Sequence, residues 1–478
     1  MNYKLIFNTL GWVLMCVGAL MLIPAICAII YGEKTVFTFL FCIAVSLALG
    51  GLFSLKPPKN KTLYSKEGYI IVALSWIIIS IIGALPFFIS GYIPNFIDAV
   101  FETASGFTTT GASILTDVEI LPKSLLFWRS FTHWIGGMGV LVFLVAFLPL
   151  SGSTNLYLIK AESPGPSVSK LVPKVRSTAK ILYTIYLVMT VLETIFLLIG
   201  GLDLFEALTL SFGTAGTGGF AIKNSGLADY SSYVQIVITV FMILFGIDFS
   251  CYYLLILGKL KNAFSSDEVK AYFLIIISAI TIITINCYHL FENIFEALKH
   301  VAFQVGSLIT TTGYSTVDFD LWPQLSKTII ILLMFSGACA GSTGGGIKVS
   351  RIVILLKSII KEVKIAAHPN SIHKTTMNKR TIEHETIRSI NVFMVAYIAI
   401  YVVSILIISI DNFDFTTNFT AIVATLNNIG PGLSKIGPTQ NFSIFSDFST
   451  FVLTLDMIIG RLEIFPVLVL LSPYTWKK

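Results

Sequence analysis

Four short segments carry the residues best suited to hold an ion without a charge of their own. Aligned on one glycine without gaps, they read ASGFTTTG (Ala104 to Gly111), SFGTAGTG (Ser211 to Gly218), GSLITTTG (Gly306 to Gly313) and VATLNNIG (Val423 to Gly430). Irregular backbone at membrane depth is tolerated only where protein buries its polar groups or where they line a watery cavity. Four such loops can encircle one axis. Thr109, Thr110 and Gly111, then Gly216, Thr217 and Gly218, then Thr311, Thr312 and Gly313, then Asn428, Ile429 and Gly430 would turn carbonyl oxygens inward to replace a cation's hydration shell. Glycine accepts the positive φ this requires. A filter without carboxylates suits a weakly hydrated monovalent ion, so potassium fits better than calcium or magnesium.

A second cluster lies at Gly337 to Gly346, GACAGSTGGG. Glycine costs about 1 kcal/mol per helical position relative to alanine, so Gly337, Gly341, Gly344, Gly345 and Gly346 should unwind the apolar stretch that holds them. Ser342 and Thr343 can bridge the backbone groups so freed. Arg461 sits within the last apolar stretch, where a charge normally faces a bundle interior or a pore. An ion pair with Asp456 or Glu463 is an alternative role for it. Gly341, Gly346 and Lys348 nearly match a phosphate-binding loop, but Ile347 intervenes and no strand precedes it.

The elements that must position these groups are membrane helices. Hydrophobic residues make up 55% of the 478 residues and charged ones only 12%, against about 25% in a soluble domain. Ten spans are expected, near 5 to 30, 35 to 55, 68 to 90, 125 to 150, 180 to 200, 232 to 258, 269 to 289, 325 to 359, 388 to 411 and 447 to 471. The four glycine segments fall between consecutive spans, about 95 to 117 residues apart, each after an apolar stretch too short to cross. The expected fold class is therefore an all-α integral membrane protein. Two leading helices, 1–66, precede four pseudo-symmetric repeats of helix, re-entrant pore loop and helix around one central pore, at 67–160, 161–262, 263–362 and 363–478.

Charge distribution orients the chain. With both termini cytoplasmic, about 24 of the 32 basic residues fall on the inner side, as the positive-inside rule requires. The net charge of +6 thus points to membrane lipid and no nucleic acid. Asp98, Glu102, Asp117, Asp203 and further acids fall on the outer side, where they would form a vestibule that concentrates cations. The six cysteines lie in apolar stretches and read as buried thiols, and His368, His373 and His384 as solvated loop residues. Arg129, His133 and Asp248 read as packing groups between helices.

TTTGAS after ETASGF, AGTGGF, ITTTGYS, SGACAGSTGGGIK and the tail NNIGPGL together resemble the TrkH branch of the Trk/Ktr/HKT superfamily of potassium transporters, across nearly the whole chain. The two extra leading spans are similar to that branch and not to the shorter KtrB subunits. The resemblance implies that the loop glycines support potassium selection, potassium being the transported ion with no organic cofactor. It implies that Gly337 to Gly346 is an intramembrane gating loop and places Arg461 in the gate region. It further implies a homodimer in a bacterial inner membrane and a cytosolic, nucleotide-binding TrkA-like regulatory subunit on the basic face.

Two other classes are set against this reading. An ion-coupled secondary carrier for an organic solute usually has broken helices in inverted pairs, whereas these four loops keep one orientation. A membrane-embedded enzyme needs a carboxylate pair, a metal cluster or a nucleophile with its base, and none is evident.

Overall fold

The computed structural model describes residues 1–55, 63–139, 175–371 and 373–477. Helices dominate, and the only strands among these residues are two short ones in one hairpin. Among the described residues six helical runs are long and apolar enough to cross a membrane: Tyr3–Ile30, Thr35–Ser54, Ser65–Ile89, Ser177–Ile199, Asp267–Leu290 and His384–Asp411.

The first run comprises α1 (Tyr3–Leu20) and α2 (Leu22–Ile30), and it pairs with α3 (Thr35–Ser54). Asn2 starts α1 by accepting from the Leu5 N–H at 3.2 Å. Gly11 and Gly50 face each other so closely that a Cβ on either would press on the other's carbonyl oxygen. Such small-residue contacts join helices where apolar burial gives no preference over lipid.

The first repeat opens with α4 (Ser65–Ile89), of which 72% of the most apolar window is buried, against 28% for α3. The leading helices therefore lie outside and α4 lies inside. The four pore helices are α5 (Phe96–Phe107), α8 (Leu204–Gly216), α13 (Ile294–Ile309) and α17 (Phe415–Leu426), and the helices before the last three are α7 (Val175–Ile199), α12 (Asp267–Cys287) and α16 (His384–Ile408). Each pore helix begins at an acid or its amide. Asn95 accepts from Ile97 N, Asp203 from Glu206 N, Asn293 from Glu296 N and Asp414 from Thr417 N, at 2.9, 2.7, 2.9 and 3.0 Å.

The helices after the last three loops are interrupted. In the first repeat α6 (Lys123–Gly137) stops at Gly137, and the expected continuation of that span to residue 150 lies largely outside the described residues. In the second, α9 (Ser232–Phe245) turns by 91° into α10 (Phe249–Ile256), followed by the short α11 (Leu260–Phe264). In the third, α14 (Gln324–Ser336) and α15 (Val349–Ala367) flank the glycine cluster. In the fourth, α18 (Asp447–Arg461) gives way to α19 (Phe465–Leu471) through Glu463 and Ile464, both at positive φ. Ten unbroken or once-broken spans were expected, with the interruption confined to 325–359. The spans at 232–258 and 447–471 are corrected to broken ones, because Asp248 caps a new helix by accepting from Ser250 N and Pro466 cannot continue the ladder of α18.

The connector after α15 folds back as a hairpin, β1 (Thr376–Met377) against β2 (Arg380–Thr381), turning at Asn378 and Lys379 with φ of 52° and 62°. Asp267, the first residue of α12, holds it by accepting from Asn378 N and from Lys357 Nζ.

Candidate functional site

Each pore helix ends in the same cap. The N–H of Thr109, Thr217, Thr311 and Asn428 bonds three residues back, and that of the next residue, Thr110, Gly218, Thr312 or Ile429, bonds five back. This is the Schellman closure, which needs a left-handed residue and normally takes glycine. Here φ is 56° at Thr109, 56° at Thr217, 58° at Thr311 and 55° at Asn428. A β-branched residue in that region costs on the order of 1–3 kcal/mol, so the threonine side chains are retained against strain.

The next positive φ falls on Gly111 (79°), Gly219 (76°), Gly313 (86°) and Gly430 (101°). The ungapped alignment on Gly218 is therefore one residue out of register in the second repeat. Thr217, Gly218 and Gly219 are the structural equivalents of Thr109, Thr110 and Gly111, and Gly216 is still helical. The run of two glycines after Thr217 hid the offset, since either could supply the conserved geometry.

These glycines close a ring. A Cβ on Gly111 would strike Gly218 O, one on Gly219 would strike Thr312 O, one on Gly313 would strike Ile429 O, and one on Gly430 would strike Thr110 O. Each loop thus packs its glycine against the middle carbonyl of the next, in chain order, and the fourth returns to the first. Thr108, Thr109 and Thr110 are fully buried, as are Thr310, Thr311 and Thr312. Thr108 and Thr110 share a hydroxyl bond of 2.7 Å, and Thr310 and Thr312 one of 2.8 Å, so repeats 1 and 3 match each other more closely than 2 and 4. Asn428 Nδ2 joins the fourth loop to the first by donating to Thr110 Oγ1 at 2.9 Å.

Outside the ring lies a cavity of about 200 Å³ with Gly111, Gly219, Gly313 and Gly430 at its base and Arg129 and Lys223 on its wall. Among the described residues no carboxylate lines it, contrary to the acidic vestibule expected. Glu102 instead pairs with Arg129 at 2.5 Å and accepts from Ile114 N, while Asp203 and Asp414 cap helices. The Asn224 amide, donating to Asp117 at 2.7 Å, holds that carboxyl below its ordinary range. Arg129 and His133 are packing groups, as expected. Arg129 reaches Ala221 O, and His133 Nδ1 donates to Gly106 O while Nε2 accepts from Phe220 N.

On the other side of the ring the three described helix breaks meet the end of α6. Gly345 N donates to Thr311 Oγ1 at 2.6 Å, and Gly344 lies against Thr310 O, so the glycine segment abuts the third loop from within. Ser342 Oγ donates to Cys339 O and accepts from Gly344 N, Thr343 Oγ1 donates to Phe245 O, and Lys348 Nζ donates to Gly344 O. Gly337, Gly341 and Gly346 take φ of 66°, 77° and 74°. Arg461, in the fourth repeat, reaches the first and the third. Nη1 donates to Thr343 O at 2.9 Å and Thr109 Oγ1 at 3.1 Å, and Nη2 to Gly136 O and Gly137 O at 2.5 and 2.8 Å. The alternative ion pairs are overturned: Glu463 pairs with Arg351 at 2.5 Å and Asp456 accepts from Ser404 Oγ.

Sequence reasoning missed Gly219, the Arg351–Glu463 pair and Glu268, whose carboxylate accepts from two backbone N–H groups of the broken helix. Only Glu268 left a signal, an acid on the edge of a long apolar run.

A family model described as "Cation transport protein", TrkH, matches residues 33–477. The chain is 34% identical to the Trk system potassium uptake protein TrkH of Escherichia coli K12 and 31% identical to its TrkG, covering all of this chain and at least 99% of each relative. The crystal structure of the potassium transporter TrkH from Vibrio parahaemolyticus superposes with a TM-score of 0.90 at 30% identity over the full length of both chains. The ring of loops, the glycine segment beneath it and these matches together make the chain a member of the TrkH family.

Proposed function

We propose that the chain is the potassium-translocating subunit of a Trk-type uptake system, conducting in a channel-like manner through the ring of loops. The observation that carries this is the ring itself, four uncharged turns of backbone each packed on the next loop's carbonyl. Alternating signs of φ along each triad can present successive carbonyls to one side, where they substitute for water around potassium, and the pore helices direct their partly negative ends there. Thr109, Thr110, Gly111, Thr217, Gly218, Gly219, Thr311, Thr312, Gly313, Asn428, Ile429 and Gly430 form this filter. Gly337 to Gly346 and Arg461 form the gate, closed in this conformation because the segment lies against the inner end of the third loop.

Around that core we assign units at 1–66, 67–160, 161–262, 263–362 and 363–478. The multi-pass chain sits in a bacterial inner membrane with both termini cytoplasmic, pairs with a second copy, and receives a cytosolic nucleotide-binding TrkA-like subunit on its basic inner face. It translocates an ion and does not transform a substrate. A carrier for an organic solute is disfavoured, since its broken helices flank a midplane site in inverted pairs, and here the described breaks lie on one side of one ring.

Purified protein in liposomes, given rubidium-86 outside and an opposing potassium gradient, tests the assignment. Rubidium accumulates if it holds; absence of entry into vesicles with folded, correctly oriented protein contradicts it.

A further inference from the structure

The glycine segment is held at both ends by one atom. Glu268, in the first turn of α12, is buried, and its Oε1 accepts from Ala340 N at 2.6 Å and from Ser350 N at 3.0 Å. Ala340 lies within the break and Ser350 in the first turn of α15, so the two bonds draw the segment's entry and exit to the same point. Among the described residues no ion pair reaches Glu268. The ionised carboxyl accepts both backbone N–H groups on one oxygen, and in that form such bonds are stronger than neutral ones. The other bonds at the neck are neutral backbone ones: Val349 N to Ala338 O at 3.1 Å, Ile347 N to Phe335 O at 3.3 Å, and Cys339 N to Gly246 O and Phe249 N to Gly341 O at 3.1 Å.

The carboxylate belongs to a different element from everything it holds. α12 is the unbroken first helix of the third repeat, whereas Ala340 and Ser350 belong to the broken one. The segment's tip touches the third loop through Gly345 N and Thr311 Oγ1, and its root is fixed to α12. A loop so tethered cannot swing out of the ion path until the root is released.

We propose that Glu268 is a positioning residue that latches the glycine segment beneath the ring, and that breaking its two bonds to Ala340 and Ser350 is the step that frees the segment to open. This rests on the reading of that segment as the gate.

Cys339, fully buried at the start of the break, is a native reporter of the segment's release. The experiment compares wild type, Glu268→Ala and Glu268→Gln in liposomes. It measures Cys339 modification by N-ethylmaleimide by peptide mass spectrometry, with Cys42 as the internal reference, alongside rubidium-86 leak without any partner protein. Glu268→Ala should raise both the labelling rate of Cys339 and the leak by about tenfold, with the potassium-to-sodium ratio unchanged. Glu268→Gln, which keeps an acceptor and loses the charge, should fall between, and it decides the matter if the alanine variant does not fold. Wild-type labelling and leak in a folded variant, while deletion of residues 337–346 leaks, overturns the latch and leaves the gate standing. Faster labelling with no leak overturns the gate, and the latch with it.

Discussion

The carbonyl oxygen of Gly218 occupies the space that a side chain on Gly111 would need. Glycine at this position is therefore required twice over, by its φ of 79° and by the neighbouring repeat. A substitution would act on the next loop's oxygen as well as on its own backbone.

Gly111→Ser should accordingly displace Gly218 O and widen the ring. The expected result is a loss of about tenfold in potassium-over-sodium discrimination, on the order of 1.4 kcal/mol, read as a shift in reversal potential under mixed salts. An unchanged reversal potential would remove Gly111 from the filter.

The left-handed threonines separate strain from use. Among the described residues Thr217 Oγ1 bonds its own neighbour's carbonyl, Gly216 O, whereas Thr311 Oγ1 accepts from Gly345 N. Thr217→Gly should leave thermal stability unchanged or raise it by up to about 1 kcal/mol as strain is relieved. Thr311→Gly gains the same relief and loses the hold on the glycine segment, so its basal rubidium leak should rise. Equal behaviour of the two variants would disconnect the segment from the third loop.

Arg461 draws its value from geometry that lysine lacks, since one guanidinium spans Thr109, Thr343, Gly136 and Gly137. Arg461→Lys should raise basal leak several-fold and Arg461→Ala further still. Retention of wild-type tightness in Arg461→Lys would mean that charge alone suffices.

How much of this was legible in the sequence differs by element. The Thr-Thr-Thr-Gly runs at Thr108 to Gly111 and Thr310 to Gly313 announce their loops, and the cluster at Gly337 to Gly346 announces its break, because composition alone forbids a regular helix there. Gly219 was obscured by adjacent glycines, and only dihedral angles separate them. The breaks near Gly246 and Glu463 carry no cluster; they arise from a cap by Asp248, and from Pro466 with the left-handed Glu463 and Ile464 before it. Arg461 was marked by its type and by lying about as far beyond Gly430 as Gly341 lies beyond Gly313, but no spacing rule connects residue 461 to 109 or 136.

The pore-helix caps give a pH dependence whose sign is fixed. Hydrogen bonds from the Thr417 hydroxyl and N–H hold the Asp414 carboxyl below its ordinary range, so its contribution to stability is present above the unfolded value, near 3.9, and is lost as pH falls through the lower folded value. Asp414→Asn, which places there the residue already found at Asn95 and Asn293, should keep the cap and flatten that part of the acid limb of thermal stability. Identical acid limbs in the two proteins would contradict the assignment.

The central claim is that the four loops bind an alkali ion on their common axis. Anomalous scattering from crystals grown in rubidium measures this directly. The account predicts a peak among the carbonyls of Thr110, Gly218, Thr312 and Ile429 that potassium displaces; an empty axis beside rubidium bound elsewhere in the membrane region would contradict it.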